Sequence, residues 1–418
     1  MKLIKTTFFS GIISLIRISS GFVANKVVAI YTGTGGVALL GAFSNLISIV
    51  QTFANGAINT GVVKYTAEYE GNKDKLKSLF STSFKISLYC SGLVGLVLLF
   101  FGAFLSRLIF TTSLYANPIK IFGVTIVLYS LNSLLISILN GIKQIKAYTI
   151  VNTLGSIIGL IFTLVMVYYY KIEGAMYALV LSQSIVFFVT LICIAKMQWF
   201  SLDYFVQKID LVILKKLSHY SLMAIVTALT LPVSQIILRN MLIKTLGIQS
   251  AGLWQGMMRI SDGYLMILTT ALATYYLPKL SSLHTDKELR AEILYGYKLI
   301  LPAVFLSSLL IYILRFFIIK LLYTPEFYQM SDLFLYQLVG DFFKMASWVL
   351  AYLMLAKSMT KIYILTEIGS TLSYLILGYV CVDYFGIKGI SIAFAINYFL
   401  YLIVMIYIFR YLLIGKET

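Results

Sequence analysis

AGLWQGMMRISDGYL, residues 251–265, begins as a membrane helix and then sets Arg259 and Asp262 three positions apart inside it. A charged side chain facing lipid at mid-bilayer costs about 2.5–3.5 kcal/mol, so such a helix is tolerated only where its polar side meets protein or water. At 100° per residue Gln255, Arg259 and Asp262 fall within about 60° of one another. They form one polar stripe on an otherwise apolar helix. The surrounding chain is of the same kind. Of 418 residues, 60% are hydrophobic and 12% charged, and the mean hydropathy is +0.92. Soluble domains carry roughly 45–50% apolar and 25% charged residues, so this composition is that of an integral membrane protein.

A span needs about 20 mostly apolar residues, and in lipid only a helix or a closed barrel pairs all of its own backbone groups. The apolar runs here are too long for barrel strands. Twelve transmembrane helices are expected, at about 7–32, 36–62, 81–106, 117–140, 147–170, 173–197, 217–243, 250–278, 297–322, 332–356, 361–383 and 386–412. The opening MKLIK and its apolar run read as helix 1 rather than as a cleaved signal, because no small-residue cleavage site interrupts the run.

Orientation follows from Lys and Arg. With the N-terminus inside, cytoplasmic segments hold Lys2, Lys5, Lys64, Lys73, Lys75, Lys77, Lys143, Lys146, Lys196, Lys208, Lys215, Lys216, Lys279, Lys287, Arg290, Lys298, Lys357, Lys361, Arg410 and Lys416. The other face holds only Arg107, Lys120, Lys171, Lys244, Lys320 and Lys388. The positive-inside rule then puts both termini in the cytoplasm. A basic cytoplasmic face against anionic lipid accounts for the net charge of +17 without a nucleic-acid partner.

The chain also repeats. An ungapped shift of 215 residues lays GVALLGAF (36–43) over AGLWQGMM (251–258), Lys64 over Lys279, Lys146-Ala-Tyr148 over Lys361-Ile-Tyr363, and Ile172-Glu-Gly174 over Ile387-Lys-Gly389. Each match borders a helix end. Two six-helix lobes follow, residues 1–200 and 217–418, joined by an amphipathic, basic cytoplasmic linker at 201–216. Six is even, so both lobes enter from the same side and are related by a parallel pseudo-two-fold axis, with a transport cavity expected between them.

Nine ionisable side chains fall inside the spans: Arg17, Lys26, Arg239, Arg259, Asp262, Arg315, Asp341, Lys344 and Glu367. They must face each other or water. Gln337, Asp341 and Lys344 repeat the stripe of Gln255, Arg259 and Asp262 with the charge order reversed, and Gln235 shares a face with Arg239 on a helix that Pro232 is expected to kink. The counterpart stripe in helix 2 is uncharged: Ser44, Ser48, Gln51, Asn55 and Asn59. Arg17 and Lys26 both point inward only if helix 1 bends, for example at Gly21; otherwise one of them snorkels. Six cations stand against three acids, and a cavity with that excess suits an anion.

These residues lie in blocks with a family likeness: GVVKYTAEYEGN (61–72), LPVSQIILRNML (231–242), LWQGMMRISDGYL (253–265), YLPKLSSL (276–283), YQLVGDFFK (336–344) and LAKSMTKIYILTEI (355–368), with Arg17 and Lys26 ahead of them. Nearly end to end, the chain resembles the Wzx-type flippases of lipid-linked oligosaccharides, such as O-antigen units and the lipid III of enterobacterial common antigen. They form part of the multidrug/oligosaccharidyl-lipid/polysaccharide (MOP) superfamily, with a MATE-like fold. The resemblance implies a transporter of the bacterial inner membrane that moves an undecaprenyl-pyrophosphate-linked oligosaccharide from the cytoplasmic to the periplasmic leaflet by alternating access. The membrane potential would drive it, with or without ion antiport. A functional monomer and contacts with a glycan polymerase and a chain-length regulator are part of that expectation. On this reading Arg17, Lys26, Arg239, Arg259, Arg315 and Lys344 serve the pyrophosphate, while Gln51, Asn55, Gln235 and Gln255 serve sugar hydroxyls. Asp262, Asp341 and Glu367 are the ion-coupling or structural acids.

Rival classes fit less well. A multidrug cation exporter of the same fold would carry acids in excess. A glycan polymerase or ligase would need catalytic groups, and the chain offers only His219 and His284, without metal-ligand spacing. Cys90, Cys193 and Cys381 lie singly in apolar runs, so no disulfide framework, metal or cofactor is expected.

Overall fold

In the computed structural model every regular element among the described residues is helical. The structure describes the backbone at residues 2–195, 197, 200–283, 285–357 and 359–414, and the side chains of these except 2–14, 219, 220, 223, 271, 274, 278 and 414. Lys196, His284 and Lys416, and the side chains of Lys2, Lys5 and His219, lie outside the described residues.

The chain runs through α1 (Lys2–Ala54), α2 (Asn59–Glu68), α3 (Lys73–Phe110), α4 (Ala116–Gly141) and α5 (Ile145–Ala195). A one-turn 3₁₀ segment, Leu202–Tyr204, precedes α6 (Leu211–Leu246) and α7 (Ile248–Ala271). A π-helical stretch, Leu272–Tyr276, then leads into α8 (Leu277–Ser282), α9 (Asp286–Ile313) and α10 (Arg315–Leu322). A second 3₁₀ segment, Pro325–Leu333, is followed by α11 (Phe334–Ala356), α12 (Thr360–Phe385), α13 (Ile387–Ile408) and α14 (Arg410–Ile414). Among the described residues nine helices are long and apolar enough to cross a membrane. α7 is not one of them, because Gln255, Arg259, Ser261 and Asp262 dilute its hydropathy.

α1 and α5 are each two helices joined across one non-helical residue, Gly33 (φ 63, ψ −164) and Lys171 (φ 49, ψ −123). At Gly21, where a bend was considered, α1 stays helical; it breaks at Gly33. α6 likewise remains helical on both sides of Pro232.

The chain folds into two compact units, Met1–Thr32 with Leu39–Pro232, and Gly33–Ala38 with Val233–Thr418. In the first, α3 and α4 cross so closely that a Cβ added at Gly95 would lie 2.6 Å from the carbonyl oxygen of Gly123, and one at Gly123 would lie 2.8 Å from that of Gly95. Without a hydrophobic drive between helices in lipid, small residues at the crossing let backbones make the dispersion contacts. The segment after α5 folds back onto α3. Ser81 Oγ donates to the Tyr204 carbonyl at 3.0 Å and accepts from the Gln207 N–H at 2.9 Å; the Asp210 N–H donates to Thr82 Oγ1 at 3.0 Å. Phe205 stacks on Phe80, and Ile213 and Leu217 enter the same core as Val62, Leu79 and Ile138. The start of α6 therefore packs with the first unit.

In the second unit Gly33–Ala38 lies on α7. A Cβ at Gly252 would come within 2.1 Å of the Thr34 carbonyl oxygen, and Ala251 to Met258 are all buried. Each unit also contains the same tight turn. A Cβ at Gly174 would meet the Met166 carbonyl oxygen at 1.9 Å, and one at Gly389 would meet that of Cys381 at 2.0 Å. The turn residues, Lys171 and Gly386 (φ 58, ψ −142), share one backbone conformation. The 215-residue offset seen in IEG and IKG is thus a repeat of backbone geometry.

Candidate functional site

The charged helix stripes of the second unit build two adjoining polar groups. In the first, α6 presents Arg239, 1% exposed, whose Nη2 donates to Gln255 Oε1 on α7. The guanidinium lies 5.8 Å from the Trp254 ring centroid, and its Nε and Nη1 have no hydrogen-bond partner among the described residues. Arg259, one turn beyond Gln255 and half-buried, is near enough for its charge to repel that of Arg239. A desolvated guanidinium keeps its charge, so Arg239 is a buried cation with hydrogen bonds left unmade among the described residues.

The second group centres on Asp341 of α11, 0% exposed. Its Oδ2 accepts hydrogen bonds from Ser261 Oγ at 2.5 Å and Tyr264 OH at 2.9 Å, while Oδ1 has no partner among the described residues. Tyr264 OH is also 3.3 Å from Ser308 Oγ on α9. One turn after Asp341, the Lys344 ammonium sits over three ring faces, Trp348 at 5.0 Å, Tyr398 at 5.8 Å and Phe394 at 6.0 Å. Lys344 acts electrostatically on both Asp341 and Glu367 of α12. The charges of Glu367, Asp341 and Asp262 all reach Tyr398 of α13. Among the described residues no group of three His, Cys, Asp or Glu could hold a metal ion.

Gln235 is half-buried one turn before Arg239. In the first unit Arg17 is exposed, with its charge acting on Tyr129, and Lys26 and Gln51 are half-buried. Asn55 is 2% exposed: its Oδ1 accepts from Ser130 Oγ at 2.5 Å, and its Nδ2 reaches Ser133 Oγ at 3.4 Å. Arg315 opens α10, where Nη1 donates to the Tyr312 carbonyl at 2.8 Å beneath the rings of Tyr312 and Phe316.

A profile of the family described as polysaccharide biosynthesis protein matches residues 12–332. The chain is 30% identical over 406 residues to the lipid III flippase of Escherichia coli K12, covering 96% of each chain, and equally to that of Shigella flexneri. The chain belongs to the polysaccharide biosynthesis protein family. Solved structures share its fold. An inward-facing multidrug resistance MATE family transporter of the MOP superfamily superposes with a TM-score of 0.81 at 16% identity, covering 96% of this chain and 98% of that one. A MOP superfamily transporter from Pyrococcus furiosus, described by the reverse polarity of its binding pocket, gives 0.76 at 15% identity, covering 99% and 97%. This polysaccharide biosynthesis family member is a multi-pass membrane protein, and a transporter rather than an enzyme.

Sequence reasoning missed several of this family member's site residues. Ser261 and Tyr264 lie i, i+3 on α7, offset from the stripe of Arg259, so α7 serves Arg239 from one side and Asp341 from the other. Their spacing beside Asp262 was the available clue. Trp348, Phe394 and Tyr398 read as ordinary apolar helix residues, and only packing brings α13 to Lys344.

Proposed function

We propose that the protein moves an undecaprenyl-pyrophosphate-linked oligosaccharide from the cytoplasmic to the periplasmic leaflet of the bacterial inner membrane by alternating access. The observation that carries this reading is the fully buried Arg239, with two guanidinium nitrogens lacking partners among the described residues and a second guanidinium, Arg259, beside it. The lipid III flippases at 30% identity name a substrate of that class. A pyrophosphate with its sugars cannot cross hydrocarbon unaided, because charge and hydroxyls would lose their water. Arg239 and Arg259 take the diphosphate, with Lys26 and Arg17 as further cations of its path, and Gln51, Gln235 and Gln255 meet sugar hydroxyls. Asp262, Asp341 and Glu367 balance charge next to them.

Twelve spans belong to this reading: α1 and α5 count as two each across Gly33 and Lys171, and α7 joins the nine apolar helices. Both termini are cytoplasmic. The protein works as a monomer and meets a glycan polymerase and a chain-length regulator at the membrane.

The test is flipping of a labelled lipid-linked oligosaccharide in vesicles containing purified protein. Charge-assisted hydrogen bonds are worth about 1.5–3 kcal/mol. Arg259→Ala should accordingly slow flipping about tenfold to a hundredfold, with Arg259→Lys intermediate because a point charge cannot grip two oxygens at once. Full activity in both variants, correctly inserted, removes Arg259 from the site and with it this reading.

A further inference from the structure

The transport reading leaves Arg315 without a task, and an apolar trough lies beside it in the second unit. Phe305, Leu309 and Tyr312 of α9 recur at i, i+4 and i+7, as do Leu335, Val339 and Phe342 of α11, so each set lines one helix face. Between them is a cavity of about 340 Å³ whose floor is Ser308 and Leu338, both buried. Phe305, Leu309, Leu335 and Val339 are exposed along its rim. Seven residues at about 1.5 Å each make the trough roughly 10 Å long. It is the furrow between two packed helices, which admits one hydrocarbon chain and not a pair.

Arg315 stands at one end of it, one turn beyond Tyr312. Its guanidinium lies 4.3 Å from the Tyr312 ring centroid, and Nη1 donates to the Tyr312 carbonyl at 2.8 Å. A guanidinium has five N–H donors, and Arg315 makes no ion pair among the described residues. The acids of the 3₁₀ segment ahead of α11 are placed elsewhere: Asp332 pairs with Lys388 at 3.1 Å, and the Glu326 carboxylate lies against Gly33. Lys320, further along α10, has the same sign as Arg315. A hydrocarbon furrow ending in an aromatic ring and then a cation has the polarity order of a phosphorylated lipid aligned with the helices. We propose that the trough holds the first stretch of the chain of a polyprenyl-phosphate lipid, with the Arg315 guanidinium on its phosphate, which a guanidinium grips by two oxygens at once. A one-chain furrow favours a polyprenyl lipid over a two-chain phospholipid, whose second chain it would leave uncovered. The inference rests on the transport reading. In the orientation proposed there α9 ends at the periplasmic face, so the trough receives the lipid after translocation.

Photolabelling decides it. Purified full-length protein in phosphatidylcholine nanodiscs is irradiated with a polyprenyl phosphate carrying a diazirine on its chain close to the phosphate, and the labelled peptides are located by mass spectrometry. Label should saturate on residues 305–312 and 335–342 and persist in an excess of phosphatidylglycerol. Arg315→Gln should weaken labelling about tenfold, the loss of one charge-assisted hydrogen bond, with Arg315→Lys intermediate. Leu309→Trp fills the trough from an exposed position and leaves the cation in place; it should weaken labelling by a similar factor, and it is the second variant should Arg315→Gln fold poorly. Labelling of the trough should survive Arg259→Ala. Label on other segments only, label displaced as readily by phosphatidylglycerol, or label indifferent to both Arg315→Gln and Leu309→Trp overturns the proposal. The two readings fail separately. Unimpaired flipping in the Arg259 variants removes the transport reading and leaves the label standing, whereas an unlabelled trough with Arg259-dependent flipping removes only the trough.

Discussion

Lys171 and Gly386 occupy the same turn in the two compact units, with φ 49 and 58, a region of backbone space that glycine enters freely and lysine does not. A non-glycine residue held there stores about 1–3 kcal/mol of strain. Lys171→Gly should therefore stabilise the fold by about 1 kcal/mol once the added freedom of the unfolded glycine is deducted, read as a higher melting temperature in detergent. Gly174→Ala and Gly389→Ala should lower it, since each new Cβ meets a backbone carbonyl near 2 Å and overpacking costs about 1–3 kcal/mol. The turn was legible from the IEG and IKG echo, though its strain was not. Residue types alone also left the role of Asn55 open: its amide is engaged by Ser130 and Ser133, a pairing that the helix 2 stripe does not disclose.

Among the elements, the amphipathic, basic linker gains specific anchors. Residues 201–210 are held on α3 by hydrogen bonds to Ser78, Ser81 and Thr82 before α6 begins. Asp210 does double work, accepting from Ser78 Oγ at 2.9 Å and from the Val212 and Ile213 N–H groups at the start of α6. The Ser78 hydroxyl, and after it the backbone N–H groups, hold its carboxyl below the ordinary carboxylate range. A lowered value means that the folded state favours the ionised form. The stabilisation is therefore present above the unfolded-state pKa and lost as pH falls through the lowered folded one. Protease cleavage between 201 and 211 should rise as the medium is acidified below pH ~4, the usual carboxylate range. Asp210→Ala should show similar cleavage at neutral pH, with a cap loss of about 1 kcal/mol. Cleavage unchanged by either would mean that the aromatic contacts of Phe205 hold the linker without the cap.

At the scale of the whole molecule, the proposed function makes charge the term that sets the energetics of transport. Moving one elementary charge through 100 mV is worth about 2.3 kcal/mol, so a headgroup of charge near −2 leaving an inside-negative cell gains roughly 4–5 kcal/mol. On the proposed transport reading, flipping in vesicles should accelerate when a potential of that sign is imposed. A rate indifferent to the potential would contradict this.

The sequence by itself determined that the chain is a helical protein of the bilayer and which of its helices carry charge. Hydrocarbon makes each charge and each unpaired backbone group costly, so both leave clear marks in composition and spacing. Only the tertiary structure decided which helix faces meet. An apolar side chain suits lipid and protein core alike, so hydropathy does not show that α7 is shared between Arg239 and Asp341, or that α13 brings Tyr398 to Lys344. Those choices were made by close backbone approach at glycines and by polar partners far apart along the chain.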